Sequence, residues 1–162
     1  MHIDDDIYDL ARQLGQAAAT RQALIATAES CTGGLVAGAI TAVAGSSAWF
    51  ERGFVTYSND AKIEQLGVSR DTLATYGAVS TQTVAEMATG ALRASRAQWA
   101  IAVTGVAGPG GGSIDKPVGM VCFGWAGPGG VASEQRLLPG DRAGIRLASV
   151  RIALAGLIDR LA

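Results

Sequence analysis

The sequence predicts a single three-layer α/β/α domain with a mixed, mostly parallel sheet. Three observations predict it. Short apolar runs of strand character alternate with helix-period segments over the first part of the chain. Two further strand-like runs then follow one another across the turn "GPGG", which implies an antiparallel pair. No linker, repeat or charge block divides the 162 residues, so residues 1–162 are expected to form one domain with one core.

Each element has a local signal. In "DDDIYDLARQLGQAAAT", Ile7, Leu10 and Leu14 fall at helical spacing and acids lead, as the helix dipole favours. "ALIATAES" is the short apolar run of a buried strand. "TGGLVAGAITAVAG" reads as a small-residue helix beginning near Thr32, and "WFERGFVTYS" as a second strand. "NDAKIEQLG" is a helix that Asn59 caps and Gly67 stops. "SRDTLATYG" and "STQTVAEMATGALRAS" are helices capped by Ser69 and Ser80. "QWAIAVTG" is a third strand, followed by the glycine-rich loop "VAGPGGGSIDKPVG". "MVCFGWAG" and "VASEQRLLP" form the antiparallel pair. "DRAGIRLASVRIALAGLIDRLA" closes the chain as a long helix with Leu147, Val150, Leu154, Leu157 and Leu161 along one face.

Composition excludes several function classes. The net charge of −1 offers no basic field for nucleic acid. The acidic start "MHIDDDIYDL" is unlike a signal peptide, and no apolar run reaches membrane-spanning length, so a cytoplasmic location with no membrane partner is expected. The only histidine is His2, and the only lysines are Lys62 and Lys116 against 11 arginines. A Ser-His-Asp or Cys-His site therefore lacks a well-placed histidine, and a structural zinc site lacks ligands. Two cysteines, Cys31 and Cys122, do not make a disulfide framework.

Four places carry chemistry, each with a plainer alternative. In "AESCTGG" a strand ending at Glu29 would put Ser30 at the carboxyl end of a strand, where open α/β sheets bind ligands. The amides of Cys31, Thr32, Gly33 and Gly34 could then hold an oxyanion; alternatively Ser30 or Thr32 only caps the helix. Lys62 lies in the first turn of a helix, where a cation opposes the dipole. Burial would lower its pKa and make it a general base, or it is a surface lysine near Asp60 and Glu64. The loop from Thr104 to Gly119 brings Thr104, Ser113 and Lys116 together among glycines that let backbone approach a ligand, or it is a mobile hairpin-like loop. It is neither a Walker A loop nor a dinucleotide fingerprint, because Gly111 occupies the lysine position and no helix follows. Arg142 and Arg146 share a face in the first turns of the closing helix; an anion such as phosphate, or an acid such as Asp141, would resolve their conflict with the dipole.

Together "AESCTGG", "GSSAWFERGFVTYSNDAK", "GAVS" and "GVAGPGGGSIDKPVG" resemble the CinA C-terminal domain, the nicotinamide mononucleotide deamidase family. The resemblance runs from about residue 5 to the end and is to the stand-alone deamidase form. It implies hydrolysis of the carboxamide of nicotinamide mononucleotide to nicotinate mononucleotide and ammonia, in pyridine nucleotide salvage, with no metal and no cofactor. It implies a serine–lysine amidohydrolase with Ser30 as nucleophile, Lys62 as base and Tyr57 as a polar partner of the dyad. Thr104 and the loop glycines Gly105, Gly108, Gly111 and Gly112, with Ser113 and Lys116, fall in the family's pocket, and Arg142 at its phosphate position. The turn residues Thr32, Gly33 and Gly34 complete the expected site. The sequence departs from the family at "GPGGGS", "TGV" and "VGM", and none of these removes a proposed catalytic group. Packing of small-residue helices between subunits, as a dimer or tetramer, is expected. The rival reading is a non-catalytic nucleotide-binding or competence-associated interaction module.

Overall fold

The computed structural model describes residues 2–162; of the expected domain span only residue 1 lies outside it. The elements run α1 (Asp5–Thr20), β1 (Ile25–Glu29), α2 (Leu35–Thr41), β2 (Phe50–Val55), α3 (Asn59–Leu66), α4 (Arg70–Tyr76), α5 (Thr81–Arg93), β3 (Trp99–Gly105), β4 (Met120–Gly127), β5 (Gly130–Leu137) and α6 (Arg142–Leu161). A short 3₁₀ turn at Ser46–Ala48, not foreseen in the sequence, leads into β2.

The five strands form one sheet in the order β2-β1-β3-β4-β5. β1 pairs in parallel with β2 and β3; β4 pairs antiparallel with β3 and with β5. Four strands thus share one direction and only β4 runs against them, which is the mixed, mostly parallel sheet expected. The hairpin turns at Pro128 and Gly129, where Gly127 pairs with Gly130.

Helices cover both faces. Ile25, Ile101, Val103, Val121, Phe123 and Trp125 point to one core with α1, α2 and α6. Their neighbours Ala26, Ala28, Ala100, Ala102, Cys122 and Ala126 point to the other, where Leu66 of α3 and Val84, Met87 and Ala88 of α5 pack. The period-2 alternation of the strands explains this division. One face carries large side chains and the other mostly alanine, so α5 lies close against the sheet: a Cβ on Gly124 would stand 2.8 Å from Val84 O. On α6, Val150, Leu154, Leu157 and Leu161 are buried and Leu147 is half-buried, as the apolar stripe implied.

Two boundaries differ from expectation for local reasons. α2 begins at Leu35, not near Thr32, because Gly33 (φ 59°) and Gly34 (φ 103°) take left-handed backbone and hold residues 30–34 in turns. Asn59 does not cap α3: it is the first helical residue, and Ser58 Oγ accepts from Ala61 N–H instead. Ser69 and Ser80 cap α4 and α5 as expected. No helix among the described residues is long and apolar enough to cross a membrane.

Candidate active site

The carboxyl ends of three neighbouring parallel strands supply the centre of the site. β1 ends at Glu29, and Ser30 N–H continues its ladder to Val103 O (2.9 Å). β2 ends at Val55, and Thr56 N–H bonds back to Glu29 O (2.8 Å). β3 carries Thr104 one residue before its end. Ser30 and Thr56 therefore leave adjacent strands at the same level, under the first turn of α3.

That turn carries Lys62. With Leu66 one turn on, it forms the buried face of α3 and is only 1% exposed. Lys62 Nζ lies 3.0 Å from Ser30 Oγ and donates to Thr56 O at 2.7 Å. Burial penalises its charged form and lowers its pKa from 10.5 to about 8. It is thus the buried lysine of the two readings, and the surface pairing with Asp60 or Glu64 does not occur.

Ser30 is held from its other side by a turn. Its carbonyl accepts from Gly33 N–H at 3.0 Å, and Thr32 O accepts from Leu35 N–H at 3.0 Å. Gly33 is thereby removed from the expected oxyanion donors, whereas the amides of Cys31, Thr32 and Gly34 have no partner among the described residues. The first amides of α2 are taken by Glu29, whose buried carboxylate accepts from Val36 N–H (2.8 Å) and Ala37 N–H (3.0 Å). The cap on α2 is therefore the acid preceding Ser30, leaving the serine hydroxyl free to face lysine.

Cys31 is buried in the apolar core with α2 and α6, and burial pushes its thiol up to about 11. Cys31 also lines the cavity over Ser30 and Lys62, yet a thiol held neutral is a poor nucleophile.

A cavity of about 290 Å³ opens over Ser30 and Lys62. Tyr57, Thr104, Gly105, Gly108, Gly111 and Arg142 line it, together with Asn59, Ala78 and Val79, which the sequence did not mark as site residues. Thr104 is buried, and its hydroxyl donates to Ala78 O (2.9 Å), tying β3 to the segment before α5. Tyr57 lines the same cavity, but the partner of its hydroxyl is Arg142 Nη2 (3.1 Å), not the serine–lysine pair. Arg142 also donates to Gly108 O at 2.7 Å and separates this cavity from a neighbouring one of about 630 Å³, lined by Pro109, Val118, Asp141 and Arg146 among others.

Several expected residues lie elsewhere. Thr32, Gly33 and Gly34 form the turn that holds Ser30 rather than the cavity wall. Gly112, Ser113 and Lys116 also miss the cavity. Ser113 and Lys116 close a turn on each other, and Lys116 Nζ donates to the carbonyls of Tyr76 and Val79. Its charge is used to fasten the glycine-rich loop to the segment joining α4 and α5. Arg142 and Arg146 do not pair with Asp141, whose carboxylate caps the helix through Gly144 N–H (2.8 Å). Backbone carbonyls of the site's loops accept from them instead.

Comparisons agree with this architecture. Over 152 residues the chain is 53% identical to nicotinamide-nucleotide amidohydrolase PncC of Escherichia coli K12, covering 93% of this chain and 92% of that one. It is 51% identical to the protein of the same name from Pseudomonas putida over 155 residues, 96% and 97% of the two chains. The solved competence/damage inducible protein CihA from Agrobacterium tumefaciens superposes with a TM-score of 0.95 at 52% identity, covering 98% of each chain. The profile of the CinA C-terminal domain matches residues 7–161, and this chain belongs to that family.

Proposed function

We propose that residues 1–162 act as one amidohydrolase domain that converts nicotinamide mononucleotide to nicotinate mononucleotide and ammonia in pyridine nucleotide salvage. The observation that carries this reading is the buried Lys62 Nζ, 3.0 Å from Ser30 Oγ, with a pKa lowered to about 8. The full-length identity to proteins named for this activity supports the substrate.

Neutral Lys62 accepts the Ser30 proton as Oγ attacks the carboxamide carbon. The free amides at the nucleophile turn meet the oxyanion. Protonated Lys62 donates its proton to the departing amine, and ammonia leaves a nicotinoyl ester on Ser30. A water then gives a proton to Lys62 and attacks the ester, and the lysine returns that proton to Ser30 Oγ. Thr56 O holds the amine in place throughout. The pyridine carboxamide occupies the cavity over the dyad, and the phosphate reaches Arg142 at the wall of the larger cavity. The reading carries a cytoplasmic site of action and a homo-oligomer, a dimer or tetramer, which light scattering would measure.

The test is incubation of purified protein with nicotinamide mononucleotide, measuring both products. Equal amounts of nicotinate mononucleotide and ammonia are expected. Saturable binding of the nucleotide without ammonia release would favour the non-catalytic module, a reading that the name of the Agrobacterium relative keeps in view.

A further inference from the structure

Arg146 stands four residues from Arg142 on α6 and lines the larger cavity, so by position it is a second candidate for the phosphate. Its hydrogen bonds show another use. Nε donates to Cys31 O at 3.1 Å and Nη2 to Thr32 O at 3.2 Å. One planar guanidinium therefore grips two successive carbonyls of the turn that carries Ser30, although 115 and 114 residues separate the partners in sequence. Cys31 O has no backbone partner among the described residues, so Arg146 alone satisfies it.

The peptide plane makes this contact consequential. In a trans peptide the C=O and the following N–H point in opposite directions. Fixing Cys31 C=O toward Arg146 aims Thr32 N–H away from α6, and that amide is one of the unpaired donors beside Ser30. Thr32 is fully buried and its hydroxyl has no partner, so the side chain does not hold this plane. Glu29 fixes the α2 end of the same turn through Val36 and Ala37 N–H. The turn is held at both ends by groups of opposite charge, neither of which touches the reacting atoms.

We propose that Arg146 is a positioning residue of the nucleophile turn: it orients the Cys31–Thr32 peptide, and thereby Ser30 and the unpaired amides beside it, while Arg142 takes the substrate phosphate. The inference rests on Ser30 being the nucleophile. It implies that losing Arg146 lowers the chemical step whether or not the substrate carries a phosphate.

The test has two arms, using Arg146→Met, Arg146→Lys and, as a control on the same helix, Arg151→Met, whose guanidinium pairs with Asp4 and Asp6. The first arm measures the rate at which an alkyl fluorophosphonate labels Ser30, by mass spectrometry, with amide hydrogen exchange over residues 29–37. The second measures kcat and KM for nicotinamide mononucleotide and for its dephosphorylated nucleoside. Arg146→Met is expected to slow labelling and lower kcat on both substrates by on the order of 10²-fold, with faster exchange in the turn. Arg146→Lys keeps the charge but not the fork, so it recovers part of the loss and serves if the methionine variant does not fold. Arg151→Met is expected to match wild type. Unchanged Ser30 labelling in both Arg146 variants, with a loss confined to KM for the phosphorylated substrate, would overturn the proposal. Wild-type protein that labels at Ser30 but releases no ammonia would defeat the substrate reading, and the labelling arm would still decide the role of Arg146. Wild-type protein that does not label at Ser30 would overturn both.

Discussion

Lys62 Nζ lies 3.0 Å from Ser30 Oγ and is fixed there by Thr56 O, inside a site where the lysine is only 1% exposed. The lysine therefore has one hydroxyl to act on, one carbonyl to hold it, and an environment that disfavours its charge.

Replacing this lysine separates stability from activity. Lys62→Met is expected to lower kcat by about 10²–10⁴-fold, the range for loss of a general base. Its melting temperature near neutral pH is expected to equal or exceed that of wild type. The folded-state pKa of about 8 lies below the ordinary 10.5, so the fold bears the full penalty of burying a cation below pH 8. That penalty is relieved between pH 8 and 10.5, so the advantage of the methionine variant should shrink over that window. Thermal unfolding of both proteins across pH 6 to 10 checks the sign.

The same pKa sets the rate profile. The log of kcat/KM should rise with unit slope at low pH and level off above about 8, as neutral Lys62 becomes the dominant form. Initial rates of ammonia release in overlapping buffers measure it. A profile that is flat between pH 6 and 9 would remove Lys62 from the role of base.

In the proposed reading Arg142 and Tyr57 serve the binding end. Arg142→Met is expected to raise KM for nicotinamide mononucleotide by roughly tenfold to hundredfold, the worth of a hydrogen bond to a charged group, and to change the dephosphorylated substrate far less. Tyr57→Phe removes a hydroxyl that bonds Arg142 and not the dyad. It should shift KM by less than about tenfold and leave kcat near wild type. A large fall in kcat would return Tyr57 to the catalytic group.

Cys31→Ala tests the neighbouring nucleophile. The thiol is buried and its pKa is pushed up to about 11, so the variant should keep turnover while losing about 1 kcal/mol of stability from the core. Steady-state kinetics and chemical unfolding distinguish the two effects.

Much of this was legible because the relevant signals are local. The alternation of strands and helices, the serine caps of α4 and α5, and the apolar stripe of α6 each depend on a few adjacent residues. Lys62 was legible as an anomaly, a cation at the wrong end of a dipole, and the scarcity of histidine and lysine made it matter. What escaped involves side chains that bond to backbone groups, some within a turn or two and others far away in sequence. Glu29 finds the amides of a helix whose start was placed three residues too early, and Thr56 acts through its carbonyl, which no side-chain pattern marks. Lys116 resembled a pocket residue until its ammonium met Tyr76 O and Val79 O. The helix pattern left Arg142 and Arg146 equivalent; the family resemblance favoured Arg142, and the loops opposite α6 show how their partners differ.

The most direct test compares ammonia release from nicotinamide mononucleotide by wild type and by Ser30→Ala, with equal folding verified by circular dichroism. Wild type should release ammonia and nicotinate mononucleotide in equal amounts, and the variant should be slower by on the order of 10³-fold or more. Ammonia release by Ser30→Ala at the wild-type rate would contradict the serine–lysine mechanism outright.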